Sequence, residues 1–238
     1  MRKHRVILIL VALVGLFAAI VYWGNTLLIA FESNAPSTSK GTTADGSIEN
    51  AKRLPSTGPN FTTYSRFGSL IGRTCVHDKV RSTVLGAYAR LSNELPNREF
   101  VYAETGWPHG GGFWPHKTHE NGLSIDFMVP VVTLAGDPTV LPTNLFNKYG
   151  YSVEFDKAGK NSKYSIDFEA MAAHLRAIRA SAAEQGVGVK VVIFDTELQR
   201  RLFEAKGGQG LAALMKFSTK PAWVRHDEHY HIDFTVSA

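Results

Sequence analysis

The chain is poor in the residues that hold small exported domains together or bind polyanions. Of its 238 residues only Cys75 is a cysteine. No disulfide can therefore form within the chain, and the fold has to rest on an apolar core. The formal net charge is +5, and Arg2, Lys3 and Arg5 supply three of those charges, leaving about +2 for the remainder. So small a surplus argues against nucleic acid as a partner, because that would call for a concentrated basic patch. It remains compatible with an anionic wall or membrane surface. Acidic residues are absent before Glu32, and no internal repeat is visible. With 44% apolar residues in a chain of this length, one compact domain is the expectation.

What is present begins with an almost unbroken apolar run from Val6 to Trp23, resumed at Leu27–Phe31. A helix needs roughly 20 apolar residues to cross a bilayer, more than the usual core of a cleaved signal peptide. Residues 1–31 are accordingly predicted to be an N-terminal transmembrane anchor. The basic residues ahead of the run predict a cytoplasmic amino terminus and an exported remainder. The alternative is cleavage after Ser33-Asn34-Ala35, against which Pro36 counts. Residues 32–62, rich in Ser, Thr, Gly, Pro and Asn, are predicted to be a flexible linker with a reach of roughly 30 Å.

Residues 63–238 are predicted to form a single α+β domain. Val80, Val84, Tyr88 and Leu91 recur at helical spacing ahead of Pro96. Phe168, Met171, Leu175 and Ile178 mark a second helix, opened by Asp167 and closed by Gly186, whose His174 is read as structural. A β-branched strand, Val189–Phe194, and a third helix with Leu198 and Leu202 follow. Two further stretches, Gly122–Val129 and His229–Val236, alternate as half-buried strands do, and their polar members are the chemically interesting ones. A central antiparallel sheet carrying them, with helices packed around it, is the expected architecture.

Histidines gather in two places about a hundred residues apart. In the first, His109, His116 and His119 lead into a strand on which Asp126 faces away from Ile125 and Phe127. In the second, His229, His231 and Asp233 share one strand face, with His226 and Glu228 just ahead. If the strands adjoin, His119, Asp126 and His231 make a three-ligand set with an open fourth position, the arrangement of a catalytic zinc site. Such an ion polarises a carbonyl and lowers the pKa of a bound water to near neutrality. Manganese, iron or cobalt accept the same donors. His229 would then face the reacting water as proton acceptor or oxyanion partner, with His226 and Glu228 as rivals for the base role. His-x6-Asp or His-x-His alone is a weak signal, since imidazoles also cap loops or stack on rings such as Trp107 and Trp114. His109 is read that way, and His116 stays open to both readings. Asp126 is the residue that most needs a partner, because a carboxylate inside a strand calls for a metal or for a cation such as Arg225.

With His119-ENGLSI-Asp126 and His229-Tyr230-His231, extended to G-G…H-x-x-H-x-x-G-L-x-x-D and H-D-x-H-x-H, the sequence resembles the penicillin-insensitive murein endopeptidases. The wider superfamily includes lysostaphin-type peptidases, D-Ala-D-Ala peptidases and the hedgehog signalling domain. The VKVVIFDTELQRRLF segment is also similar, so the resemblance touches about Gly68–Phe234, discontinuously. It implies a zinc hydrolase with His119, Asp126 and His231 as ligands, His229 and His226 near the catalytic water, and His116 as an accessory residue. It also implies peptidoglycan cross-linking peptides as substrate; taken with the anchor predicted from residues 1–31, which the typically soluble murein endopeptidases lack, this places the domain in the periplasm, held to the inner membrane. Glu228-x-x-His231 equally satisfies the Glu-x-x-His pattern of D-Ala-D-Ala peptidases, in which the glutamate is the base. A D-Ala-D-Ala carboxypeptidase or dipeptidase is thus the nearest alternative, and a zinc-containing module that binds without catalysis is the alternative from another class.

Overall fold

The computed structural model describes residues 2–222 and 224–237. The first helix, α1 (Arg2–Ala30), is the apolar run wound continuously. Among the described residues it is the one helix long and apolar enough to cross a membrane. Most of it is exposed, but Gly24 and Asn25 are buried where it meets the folded domain. There Asn25 Nδ2 donates to the Leu54 carbonyl at 2.9 Å and to Ser56 Oγ at 3.1 Å, and its Oδ1 accepts from Arg53 at 3.2 Å. A polar group so buried is stable only when bonded in this way.

The segment expected as a flexible linker is instead built into the fold. It forms a hairpin of β1 (Thr38–Thr42) and β2 (Asp45–Glu49), followed by β3 (Lys52–Arg53), β4 (Thr57–Gly58) and β5 (Phe61–Thr63). Its polar composition hides three buried apolar anchors, Ile48, Leu54 and Phe61. The rest of its stability comes from backbone pairing, which composition does not register. Ser65 then caps α2 (Arg66–Ile71), accepting from Gly68 N at 3.0 Å, and Gly72 ends it at φ 98°.

After β6 (Cys75–Val76), which pairs with β3, comes α3 (Asp78–Glu94), burying Val80, Val84, Ala87, Tyr88 and Leu91 along one stripe. Next are β7 (Phe100–Tyr102), β8 (Ser124–Met128), and a small sheet of β9 (Val131–Thr133), β10 (Pro138–Thr139) and β11 (Tyr164–Ile166). Asp167 caps α4 (Phe168–Glu184) by accepting from Ala170 N, and Gly186 at φ 64° follows its end. The chain closes with β12 (Val187–Ile193), the short helices α5 (Gln199–Glu204) and α6 (Leu211–Leu214), and β13 (His229–Val236).

The central sheet has six strands in the order β12-β13-β8-β7-β5-β4. It is mixed rather than wholly antiparallel: β5 and β7 run parallel, because the chain passes through α2, β6 and α3 between them. The fold is thus α+β in one domain. Helices α3 and α4 pack together against one sheet face, where Ile125, Phe127, Tyr230, Ile232 and Phe234 join Met171, Leu175 and Ile178 in the core. His174 lies within that core, hydrogen-bonded to the Tyr230 hydroxyl at 2.7 Å, and burial holds its pKa down at about 3. It is a neutral packing residue.

Candidate metal centre

On the opposite face of β13 and β8, antiparallel register sets His231 across from Asp126 and Asp233 across from Ser124. His119 reaches the same point from the loop before β8, with φ 76° in the left-handed region. That path requires glycine at two places. An added Cβ at Gly106 would lie 2.6 Å from the His119 carbonyl, and one at Gly122, φ 74°, would lie 2.4 Å from Ile48 Cδ1. The β1–β2 hairpin clamps the loop from outside through Ser39 Oγ, which donates to the Asn121 carbonyl at 2.7 Å, and Glu120 N, which donates to the Thr43 carbonyl.

Two imidazoles converge on one carboxylate oxygen. His119 donates from Nδ1 to the Thr105 carbonyl at 3.1 Å, which turns its Nε2 toward Asp126 Oδ1 at 3.3 Å. That Nε2 is buried and has no hydrogen-bond partner. His231 lies with Nδ1 2.8 Å from the same oxygen, while its Nε2 donates to Asp233 Oδ1 at 2.8 Å. Asp233 is itself held by Ser124 Oγ at 2.6 Å and Thr43 Oγ1 at 3.3 Å. One ring nitrogen pinned to a carbonyl or carboxylate while the other faces a shared centre is how metal-binding histidines are oriented. Ligand atoms about 2.0–2.1 Å from a tetrahedral ion lie about 3.3 Å from one another, which the His119–Asp126 separation matches. An unpaired buried nitrogen otherwise costs about 1–3 kcal/mol, and a cation removes that penalty.

His116 stands beside this pair. Its Nε2 is ion-paired with Glu104, which also binds Arg73, and its Nδ1 is 3.7 Å from Asp126 Oδ2. His116, His119 and Asp126 offer one donor atom each within 4.8 Å of one another, so the three could hold a metal ion. Tyr151 donates its hydroxyl to Asp126 Oδ2 at 2.9 Å. From β13, His229 directs Nε2 toward the same oxygen at 3.9 Å while Nδ1 bonds Glu228 Oε1 at 2.9 Å. The His226 ring lies 4.5 Å from that of His229, its Nδ1 donating to the Val224 carbonyl at 2.9 Å. These groups line a cleft of about 650 Å³ whose wall is otherwise mainly apolar.

The charges divide sharply. Burial works against the charged form of His231, yet its bonds to Asp126 and Asp233 prevail and raise its pKa to about 9. Burial likewise resists ionisation of Asp126, but the surrounding imidazoles, His119 and His229 foremost, keep it well below the usual carboxylate range. His116 is raised because Glu104 and Asp126 outweigh its burial. Desolvation dominates elsewhere, lowering His226 and His229 to about 4 and raising Glu228 to about 8. At neutral pH the Glu228–His229 pair therefore carries one proton, held mainly by the carboxyl.

All seven candidates, His116, His119, Asp126, His226, Glu228, His229 and His231, are brought into one cluster. Asp126 does not pair with Arg225, which binds Asp195 at 2.8 Å and Asp227 at 3.3 Å. His109 is exposed and apart from it. The sequence's Ser-x-x-Lys string, Ser37 to Lys40, is no acylating serine. Ser37 Oγ donates to the Asn50 carbonyl at 2.8 Å and Lys40 pairs with Glu49 at 2.5 Å. Glu104, Thr105 and Tyr151 enter the site without any sequence signal, since they come from loops and their local patterns are unremarkable. Asp233 could have been found from its alternation with His231. Comparison with models of known protein families finds no match, and comparison with curated proteins finds none either.

Proposed function

We propose that this chain is a membrane-anchored, zinc-dependent endopeptidase that hydrolyses peptide cross-links of peptidoglycan. The observation that carries the reading is the buried, partnerless Nε2 of His119 facing Asp126, with His231 turned to the same oxygen from the neighbouring strand. Zinc suits this mixture of imidazole and carboxylate donors. His119, Asp126 and His231 would hold it, and when bound it would polarise the scissile carbonyl and activate a water. His229, its Nδ1 fixed by Glu228, is aimed at the same spot from the cleft wall. With its Nδ1–H donated to Glu228 Oε1, its Nε2 can take a proton from the attacking water and return it to the leaving amine. His226 packs against His229 and limits its rotation. His116, ion-paired to Glu104 through Nε2, can offer its Nδ1–H to a developing oxyanion, while the Tyr151 hydroxyl holds Asp126.

On this reading α1 is a single-pass anchor in the inner membrane, with Arg2, Lys3 and Arg5 on the cytoplasmic side and the domain in the periplasm, where its substrate lies. The test is metal analysis of the purified full chain, paired with digestion of cross-linked muropeptide dimers. Stoichiometric zinc and the appearance of monomers are expected. Loss of terminal D-Ala from intact dimers would make the enzyme a carboxypeptidase instead, and absence of both metal and hydrolysis would defeat the proposal.

A further inference from the structure

The place where α1 meets the domain fixes where the cleft opens. At 1.5 Å per residue, Val6–Trp23 spans about 27 Å, close to the hydrocarbon thickness of a bilayer. The outer boundary of that layer then falls at Tyr22 and Trp23, residues of the kind that gather at membrane–water interfaces. Helix α2 packs against α1 at this level. The Arg66 guanidinium lies 4.1 Å over the Tyr22 ring, and Leu70 occupies the notch at Gly24, where an added Cβ would come within 2.5 Å of Leu70 Cδ1.

One residue further along α2 from each of these contacts stand Phe67 and Ile71, both 45% exposed. Spaced i and i+4, they share a helix face. That face lines the mouth of the cleft, together with Trp114 and Leu145, which are 86% and 74% exposed. Large apolar side chains left open beside a membrane helix, at the depth of its interfacial aromatics, match the chemistry of the acyl–headgroup boundary.

We infer that Phe67 and Ile71 form a lipid-contact surface seating the cleft mouth on the bilayer crossed by α1, so that the cleft takes peptides presented at the membrane surface. The inference rests on the reading of α1 as a membrane span, and the experiment separates the two. Full-length variants Phe67→Cys, Ile71→Cys, Leu13→Cys and Lys190→Cys are labelled with an environment-sensitive fluorophore; Cys75 is buried, so the wild type serves as the blank. Lys190 is exposed on β12, at the sheet edge opposite β4. The proteins are reconstituted in phosphatidylethanolamine–phosphatidylglycerol vesicles carrying a nitroxide-labelled phosphatidylcholine. Labels at 13, 67 and 71 should lose emission about twofold relative to vesicles without nitroxide, as expected for shallow or deep insertion, and the label at 190 should not. Quenching at Leu13 with emission at 67 or 71 matching that at 190 overturns this inference and leaves the anchor standing. No quenching at Leu13 removes the anchor and the inference with it.

Discussion

The two faces of β13 solve opposite problems with alternate residues of one strand. Tyr230, Ile232 and Phe234 enter an apolar core, where one histidine, His174, is kept neutral by burial and bonded through Nδ1 to the Tyr230 hydroxyl, its Nε2 staying without a partner. His229, His231 and Asp233 are just as buried, yet each is tied to a carboxylate, an imidazole or a hydroxyl. The apolar face stabilises the fold through area removed from water. The polar face gains little from burial and concentrates charge instead. Isolated from solvent, the Asp126 carboxylate interacts with nearby positive charge more strongly than it would at a surface.

The comparison breaks first at Asp126. Asp126→Ala should abolish metal binding and hydrolysis together, seen as metal-free protein after gel filtration; full metal content would show that Asp126 is not a ligand. His229→Ala should lower the hydrolysis rate by about 10²–10⁴ with zinc retained, measured by muropeptide digestion alongside metal analysis. Unchanged hydrolysis would remove its assigned role. On the other face, Ile232→Ala should reduce unfolding free energy by about 2–5 kcal/mol in denaturant titration while the folded protein keeps its metal. Asp233→Ala should weaken metal affinity by about 10–100-fold in a competition titration against a chelator, because His231 Nε2 loses its support.

The remaining effect is on pH. In the metal-free protein the His231 pKa is raised from its ordinary value to about 9. The stability this proton confers is therefore complete below about 6.5 and is lost as pH rises through 9. Metal must displace the proton, so apparent affinity should climb up to tenfold per pH unit between about 6.5 and 9 and then level off. A flat profile across that window would mean that His231 does not bind the ion.

Much of this division was legible in the sequence, because strand alternation and helical spacing are local signals. Asp126 and His231 could be put on polar faces from their neighbours alone, and α3 and α4 announced their buried stripes. The linker misled because its stabilising contacts are backbone pairings, long-range side-chain bonds such as Thr43 to Asp233, and three isolated apolar residues, Ile48, Leu54 and Phe61, none of which stands out in a polar stretch. Glu104, Thr105 and Tyr151 escaped for a related reason. Thr105 acts through its carbonyl, and the others gain meaning only from partners 12 to 25 residues away, His116 for Glu104 and Asp126 for Tyr151. The docking of α1 through Asn25 depends on partners 29 and 31 residues distant, beyond any periodicity.

The hairpin of β1 and β2 has a practical corollary for anyone preparing a soluble fragment. Cutting the chain at residue 63, where composition suggests the domain starts, would strip Thr43 from Asp233 and Ser39 from the loop that carries His119. It would also remove two strands from the edge of the central sheet. A protease nick in the same stretch would act at a distance, loosening the loop that carries His119 and the support of Asp233 without touching either side chain.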